Sequence, residues 1–354
     1  MRIGLIGLPR SGRTTVFNAL TKSDASVAGH AKGTETNVAI VEVLDERVER
    51  LSEIYIPRRT VYATVEVVDF ASPKETPAKG GTLSSAATGE IRVMDALALV
   101  VRNFDDDLLG SPTPLKDIQR IIDELVLQDL VLAESRLERI EKGYKRGQRG
   151  EPLLKEEKII RRLLEQLNQS RLLMEMDLSS EEEKAIRGFQ FLTRKPFLVV
   201  VNSDETRFGG NGPLMAEIEK SHRAIEFAGQ FEMELGRLDD EAAALFMEDM
   251  GIKESAYRRL TSLAYAVLGY ISFFTVGSDE VRAWNIRQGD SALDAAAAIH
   301  SDLARGFIRA ERFSYDDCLK YGSEKAIREK GRFHLEGKDY LVQDGDILNI
   351  RFNV

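Results

Sequence analysis

The stretch "GLPRSGRTT", residues 7 to 15, constrains the fold of this chain more than any other. It follows the apolar segment "RIGLI" and precedes "VFNAL", whose apolar residues recur at helical spacing. A strand, a turn of the form GxxxxG and a helix that opens with two threonines are the context of a phosphate-binding loop. Backbone N–H groups of such a loop converge on phosphate oxygens at the positive end of the helix. The sequence therefore predicts a phosphate site at Gly7, Pro9, Arg10, Ser11, Gly12, Arg13, Thr14 and Thr15.

One position of the loop departs from the usual pattern. Arg13 stands where such loops carry a lysine, whose ammonium lies between the β- and γ-phosphates. Arginine keeps the charge but is longer and planar. It could reach a phosphate from an altered angle, or swing outward and leave the pocket, and both alternatives stay open. A strand-to-helix turn without any ligand is the competing interpretation.

The pattern of apolar runs predicts the fold class. Residues 37–44, 63–70 and 95–104 are each apolar enough for a strand buried in a sheet, and residues 197–202 repeat the pattern. Strands separated by helices or loops predict an α/β protein with a mostly parallel sheet. The ligand is then expected at the carboxyl ends of the strands.

Two further segments interrupt and extend this domain. From Pro114, two amphipathic helical stripes flank the turn "KGYKRGQRGEP", which predicts an α-helical hairpin, a coiled-coil arm inserted into the α/β domain. "ALDAAAAIHSDLARGF" predicts one helix that stops near Gly306, and "KDYLVQDGDILNIRFNV" predicts alternating strands around an Asp-Gly-Asp turn. The expected domains are 1–113 with 191–274 for the nucleotide domain, 114–190 for the arm, and 275–354 for a small α+β module.

Two other segments provide expected partners for the loop. Asp69 ends a strand-like run, where an aspartate can hold Mg²⁺ together with the Thr14 hydroxyl. Ser72 and Pro73 follow in place of the glycine and the water-positioning glutamine of many GTPases. "FLVVVNSDE" supplies candidates for base recognition at Asn202, Asp204 and Glu205, but a glutamate at the last position argues against strict selection of guanine.

The turn of the predicted arm is basic and carries one tyrosine. A basic tip with an aromatic residue on a long hairpin is suited to contact RNA phosphates and to stack on a base. A solvated helix end is the alternative, because surface charges of this kind also keep an arm soluble. The candidate contacts are Arg139, Lys142, Tyr144, Lys145, Arg146 and Arg149.

Composition excludes several classes of protein. A net charge of −9 argues against coating nucleic acid with the whole surface. Cys318 is the single cysteine, so there is no internal disulfide and a reducing cytoplasm fits. No apolar run is long enough for a membrane span and no secretory leader is recognisable. We expect a cytoplasmic protein with no membrane partner.

Together these motifs resemble the YchF/Obg-like ATPases, a branch of the translation-factor P-loop GTPases that tends to prefer ATP. The resemblance implies that the α/β domain is a Ras-like P-loop NTPase domain. The resemblance covers almost the whole chain, including "GLPRSGRTTVFNALTK", "VDFAS", the arm, and "LSSEEEKAIRGFQFLTRKPFLVVVNSDE". The segments "EVRAWNI", "IHSDLARGFIRAERFSYDD" and "EGKDYLVQDGDILNIRFNV" are similar to the C-terminal TGS module of that family, which has a ubiquitin-like fold.

The resemblance implies further site residues and partners. The family's Asn-x-x-Glu element maps to Asn202 and Glu205, and the small-residue element that closes over the base maps to Ala228 and Gly229. Thr34 corresponds to the switch threonine that meets magnesium. The implied ligand is ATP or GTP with Mg²⁺, and the implied partner is the ribosome.

Two functions follow as alternatives. The first is a nucleotide-switched ribosome or stress-response factor with slow or impaired hydrolysis, because the departures at Arg13, Ser72 and Pro73 all fall on the γ-phosphate side. The second is a pseudo-GTPase scaffold that binds its partners independently of nucleotide. No catalytic residue is assigned from the sequence.

Overall fold

The described part of the chain contains twelve strands and a larger number of helices. The computed structural model describes residues 1–21, 36–70, 85–238, 240–249, 255–267 and 269–353. The strands of this part of the chain are β1 (Arg2–Ile6), β2 (Asn37–Val43), β3 (Arg59–Val61), β4 (Ala63–Asp69), β5 (Ala96–Asn103), β6 (Phe197–Ser203), β7 (Ala224–Phe227), β8 (Tyr270–Thr275), β9 (Glu280–Arg287), β10 (Phe307–Ser314), β11 (His334–Glu336) and β12 (Asp346–Phe352).

The helices alternate with the strands in the first part of the chain. They are α1 (Arg13–Thr21), α2 (Glu46–Tyr55), α3 (Ser85–Arg92), α4 (Pro114–Lys145), α5 (Glu151–Asn168), α6 (Ser180–Ile186), α7 (Gly212–Glu219), α8 (Gly229–Leu235), α9 (Asp240–Asp249), α10 (Ala256–Val267), α11 (Ala292–Ile299), α12 (Ser301–Arg305), α13 (Tyr315–Tyr321) and α14 (Glu324–Glu329). Three 3₁₀ turns cover Leu173–Glu175, Arg187–Phe189 and Leu192–Arg194. None of the described helices is both long and apolar enough to cross a membrane.

The first sheet has six strands in the order β2-β4-β1-β5-β6-β7. The pairs β1–β4, β1–β5, β5–β6 and β6–β7 are all parallel, so the predicted mostly parallel sheet is confirmed. Strands β5 and β6 are buried along their whole length, as expected for strands covered on both faces. The carboxyl ends of parallel strands meet at one edge of a sheet, and the loop after β1 lies at that edge.

Helices α4 and α5 form the predicted hairpin arm. Pro114 and Pro152 stand in the first turns of the two helices, where their missing N–H groups cost nothing. The apolar stripe of α4 packs into the core of the sheet through residues such as Ile118, Ile122 and Leu125. Asp129 fastens the same helix, because its buried carboxylate accepts N–H bonds from Leu192 and Thr193, at 3.0 and 2.7 Å.

The compact units of the structure differ from the domains expected from sequence. One unit comprises 1–39 and 66–256, including the arm, and the other comprises 40–65 and 257–354. Residues 40–65 belong to the second unit because β3 pairs in parallel with β9, with Arg59 opposite Glu280. The compact units thus divide the chain elsewhere than the expected domains, which have a boundary at 274 and a continuous segment 1–113.

The second unit is built on a sheet of six strands in the order β11-β10-β12-β8-β9-β3. Two expectations are wrong here. The predicted single helix is broken at His300, whose backbone is extended, so that α11 and α12 are separate. The predicted strand before the Asp-Gly-Asp turn is absent from the described structure of residues 338–345, and only β12 follows the turn; β12 pairs instead with β10 and β8.

Candidate nucleotide-binding site

The loop between β1 and α1 has the backbone conformation that an anion-binding turn requires. Arg10 and Gly12 have φ angles of +66° and +86°, which bend the chain tightly before the helix. The Ser11 N–H donates to the Leu8 carbonyl over 3.1 Å. The first turn of α1 leaves N–H groups without intrahelical partners and contains no acidic side chain. These features make the start of α1 suitable for a phosphate group.

The loop packs closely against the neighbouring strand β5. A Cβ atom at Gly7 would lie 2.4 Å from the Val100 carbonyl oxygen and 2.6 Å from the Ser11 Oγ. The Ser11 hydroxyl is buried and finds no hydrogen-bond partner within the part of the chain that the structure describes. Gly7 is therefore required by space.

Asn202, at the end of β6, joins the loop to the segment after β7. Its Nδ2 donates to the Ser11 carbonyl and its Oδ1 accepts from the Gly229 N–H, each over 3.1 Å. A Cβ at Gly12 would lie 2.1 Å from Asn202 Nδ2. A Cβ at Gly229 would lie 2.9 Å from Asn202 Oδ1 and 3.0 Å from the Thr15 Cγ2. The structure thus brings together residues of three separate segments: Gly12 and Thr15 of the loop, Asn202, and Gly229.

The other candidate base contacts have different surroundings. Ala228 is buried and packs with Phe231 and Leu235. Glu205 is exposed. Asp204 is held within its own loop by bonds of 2.7 Å from the Thr206 hydroxyl and from Arg207 Nη1. Burial alone would raise the pKa of Asp204, but these bonds outweigh it and keep the pKa below its ordinary value.

The candidate magnesium ligands lie where β4 meets α1. The Thr14 hydroxyl donates to Asp69 Oδ2 over 2.8 Å. Asp69 Oδ1 is buried and has no hydrogen-bond partner among the described residues. A hydroxyl and an open carboxylate oxygen are ligands that Mg²⁺ accepts, so these two residues fit the cation. The same described residues contain no group of three or more His, Cys, Asp or Glu side chains arranged for a metal ion.

Arg13 does not adopt the outward orientation considered from the sequence. Its Nε lies 3.8 Å from Asp69 Oδ1 and its Nη2 donates to the Phe70 carbonyl over 3.3 Å. The side chain is only 14% exposed. Burial lowers the pKa of the Arg13 guanidinium and the charge of Asp69 opposes that effect. The side chain therefore turns inward, toward the carboxylate that is expected to hold magnesium. Thr34, Ser72 and Pro73 lie outside the described residues.

Sequence reasoning missed an acidic loop beside the site. Asp106 accepts from Arg10 Nε over 2.8 Å, and Asp105 accepts from Arg207 Nη2 over 2.6 Å. The bond from Arg10, with N–H bonds from Leu108 and Leu109, lowers the pKa of Asp106 to about 2. The signal was available in "NFDDDLLG", which directly follows a buried strand at the edge where ligands bind.

The tip of the arm carries the predicted basic side chains at the surface. Arg139, Lys142, Lys145 and Arg146 are exposed. Tyr144 is engaged within the arm, because its hydroxyl donates to Glu157 Oε2 over 2.6 Å and the exposed Arg149 lies over its ring at 5.7 Å. The tip therefore presents charge, while one face of its tyrosine is already covered.

Comparisons with known proteins agree with this architecture. Residues 2–134 match a family model described as a 50S ribosome-binding GTPase, and residues 270–353 match the YchF-GTPase_C model, described as a protein of unknown function. A solved structure of the YchF GTPase of Schizosaccharomyces pombe is 30% identical, has a TM-score of 0.86, and covers 99% of this chain and 97% of its own.

Curated relatives are similar over their full length. The "Ribosome-binding ATPase YchF" of Pasteurella multocida is 38% identical, with 100% of this chain and 99% of the relative covered. The protein of the same name from Bacillus subtilis is 36% identical over 99% of both chains. The fold and the loop define a P-loop GTPase-type domain with a helical insertion and a C-terminal module, as the sequence predicted. The chain belongs to the YchF family.

Proposed function

We propose that this chain binds a purine nucleotide, ATP or GTP, at the loop of residues 7–15, with Mg²⁺ at Thr14 and Asp69 and with Thr34 as a further ligand. The observation that carries this proposal is the double hydrogen bond of Asn202 to Ser11 and Gly229. It fixes the phosphate loop and the segment near the base in one arrangement, as a preformed ligand site requires. The relatives named ribosome-binding ATPases support the same reading.

The groups assigned to the nucleotide divide between its two ends. The loop N–H groups and the start of α1 contact the phosphates, while Asn202, Asp204, Glu205, Ala228 and Gly229 surround the base. When bound, Mg²⁺ neutralises charge on the phosphate oxygens. Hydrolysis is slow, because Arg13 is directed at Asp69 and Phe70, and the sequence has Ser72 and Pro73 where a glycine and a water-positioning glutamine are usual.

Fluorescent mant-ATP and mant-GTP titrations test the binding step. We expect saturable binding with Mg²⁺, and at about 100 times Kd a ligand specific to the folded state adds about 2.7 kcal/mol to the free energy of unfolding. Asn202→Ala should abolish that stabilisation, whereas Asn349→Ala, at an exposed position, should not. Absence of saturable binding and of any thermal shift would favour the pseudo-GTPase scaffold.

Phosphate release tests the hydrolysis step separately. We expect the wild-type protein to release phosphate slowly, and Arg13→Lys to raise the rate if this side chain is the main obstacle. A rapid wild-type rate contradicts the proposal. A slow rate in both proteins assigns the defect to other residues of the γ-phosphate side.

We also propose that the arm tip contacts ribosomal RNA. Its Arg139, Lys142, Lys145, Arg146 and Arg149 are all exposed, and phosphate binding by such basic side chains weakens steeply with salt. Charge reversal at Lys145, Arg146 and Arg149 should abolish salt-sensitive co-sedimentation with ribosomes. Reversal of the exposed Lys325, Lys330 and Lys338 is the matched control. Unchanged co-sedimentation of the tip variant would exclude the tip as the contact.

A further inference from the structure

The end of β4 holds a buried carboxylate between two side chains of α1. The Asp69 side chain is 3% exposed, and its Oδ2 accepts the Thr14 hydroxyl over 2.8 Å. On the other side, Arg13 Nε lies 3.8 Å from Oδ1, and the guanidinium is anchored on the Phe70 carbonyl. The guanidinium is therefore held against the carboxylate instead of extending into solvent.

This arrangement compensates the charge of Asp69 but leaves one of its oxygens open. A buried carboxylate is costly unless an opposite charge or hydrogen bonds balance it. The Arg13 guanidinium supplies that charge at ion-pair distance. Oδ1 nevertheless accepts no hydrogen bond from any described residue. The charge of Asp69 is thus balanced from within the chain, by Arg13.

We infer that Arg13 is a built-in counter-ion of Asp69, and that nucleotide binding by this chain therefore depends only weakly on Mg²⁺. A cation bound by the Thr14 hydroxyl and Asp69 must share the carboxylate with the guanidinium. The two positive charges then lie close together and repel each other. With lysine at position 13 the planar guanidinium is lost, and a compact ammonium on a flexible stem takes its place. The inference rests on the proposed nucleotide binding and concerns its dependence on the cation.

The test compares the affinity for mant-ATP or mant-GTP in EDTA and in saturating Mg²⁺. We expect the wild-type Kd to change by less than about threefold, and that of Arg13→Lys to tighten by at least about tenfold on adding Mg²⁺. Arg58→Lys makes the same exchange at an exposed ion pair with Asp279 and should keep the wild-type behaviour. Equal Mg²⁺ dependence in the wild type and Arg13→Lys would overturn the inference.

A second measurement does not need nucleotide. Thermal unfolding of Arg13→Gln, Asp69→Asn and the double variant forms a cycle that isolates the coupling of the two side chains. We expect Arg13→Gln to lower the midpoint more when Asp69 is charged than in the Asp69→Asn background. Zero coupling overturns the counter-ion role whether or not nucleotide binds. Absent nucleotide binding with clear coupling refutes the proposed function alone, and leaves the counter-ion role supported.

Discussion

The candidate site has two ends: the base end, with Gly12, Asn202 and Gly229, and the cation end, with Arg13, Thr14 and Asp69. The two ends satisfy their buried polar groups to different degrees. At the base end, the Asn202 amide uses both its donor and its acceptor, and the glycines beside it leave no space for a side chain. At the cation end, Asp69 Oδ1 has an ion-pair partner at 3.8 Å but no hydrogen bond among the described residues.

The difference predicts how the two ends respond to substitution. The base end is close-packed and complete without a ligand, so substitution there should be costly to the fold. The cation end contains an arginine and an open carboxylate oxygen, so it tolerates an exchange of charge. In the proposed function, ligand binding and hydrolysis depend on these two ends separately, and variants can perturb them one at a time.

Gly12→Ala should produce the largest effect, because it combines backbone strain with a clash against Asn202. At φ +86°, with Nδ2 2.1 Å from the added Cβ, we expect a loss of about 4 kcal/mol in the free energy of unfolding. Gly147→Ala is the matched control: its φ is +84° and no described atom lies within 4 Å of the added Cβ. That control should cost about 1 kcal/mol. Equal losses in urea unfolding would show that the base end is not tightly packed.

Asn202→Asp keeps the shape of the side chain but replaces its donor by an acceptor. The new carboxylate faces the Ser11 carbonyl in a buried position, and we expect a loss of about 3 kcal/mol. Asn168→Asp makes the same exchange at an exposed helix end and should cost less than about 1 kcal/mol. Denaturant midpoints of the two variants measure the contrast; similar midpoints would contradict it.

Asp69→Asn makes the reverse exchange at the cation end. We expect a change within about 1 kcal/mol, because the exchange removes a buried charge, Arg13 keeps its bond to the Phe70 carbonyl, and the new amide oxygen still accepts from Thr14. Asp129→Asn is the comparison: Asp129 accepts from Leu192, Thr193 and Arg92, and its exchange should cost about 2 kcal/mol or more. Comparable losses of unfolding free energy at both aspartates, measured by urea unfolding, would contradict the tolerance expected of the cation end.

The pair of Arg10 and Asp106 should give the smallest effect, visible only in acid. Because the folded-state pKa of Asp106 is lowered to about 2, its stabilising contribution is complete above the unfolded value of about 3.9 and is lost as the pH falls through about 2. Carboxyl NMR titration should show the pKa of Asp106 rising toward its ordinary value in Arg10→Ala and staying low in Arg58→Ala. An unchanged pKa of Asp106 in Arg10→Ala would show that Arg10 does not lower it.

Local pattern was sufficient for a large part of this protein. Continuous apolar runs predicted β5 and β6, and helical spacing predicted the arm, because both signals depend on neighbouring residues. The pairing of strands that lie far apart in the sequence could not be predicted from local pattern. The pairing of β3 with β9 places Arg59 opposite Glu280, and no sequence pattern near either residue predicts the other.

The sequence by itself determined the parallel sheet, the phosphate loop, the arm and the family, since each follows from the spacing and type of residues along the chain. The tertiary structure decided that Arg13 turns to Asp69, that Asn202 ties Ser11 to Gly229, and that Asp106 holds Arg10. The physical reason is that a side chain's partner depends on its burial and on charges brought close by distant segments. The sequence shows that the phosphate loop carries an arginine, but only the tertiary structure shows that this arginine lies beside the charge of Asp69.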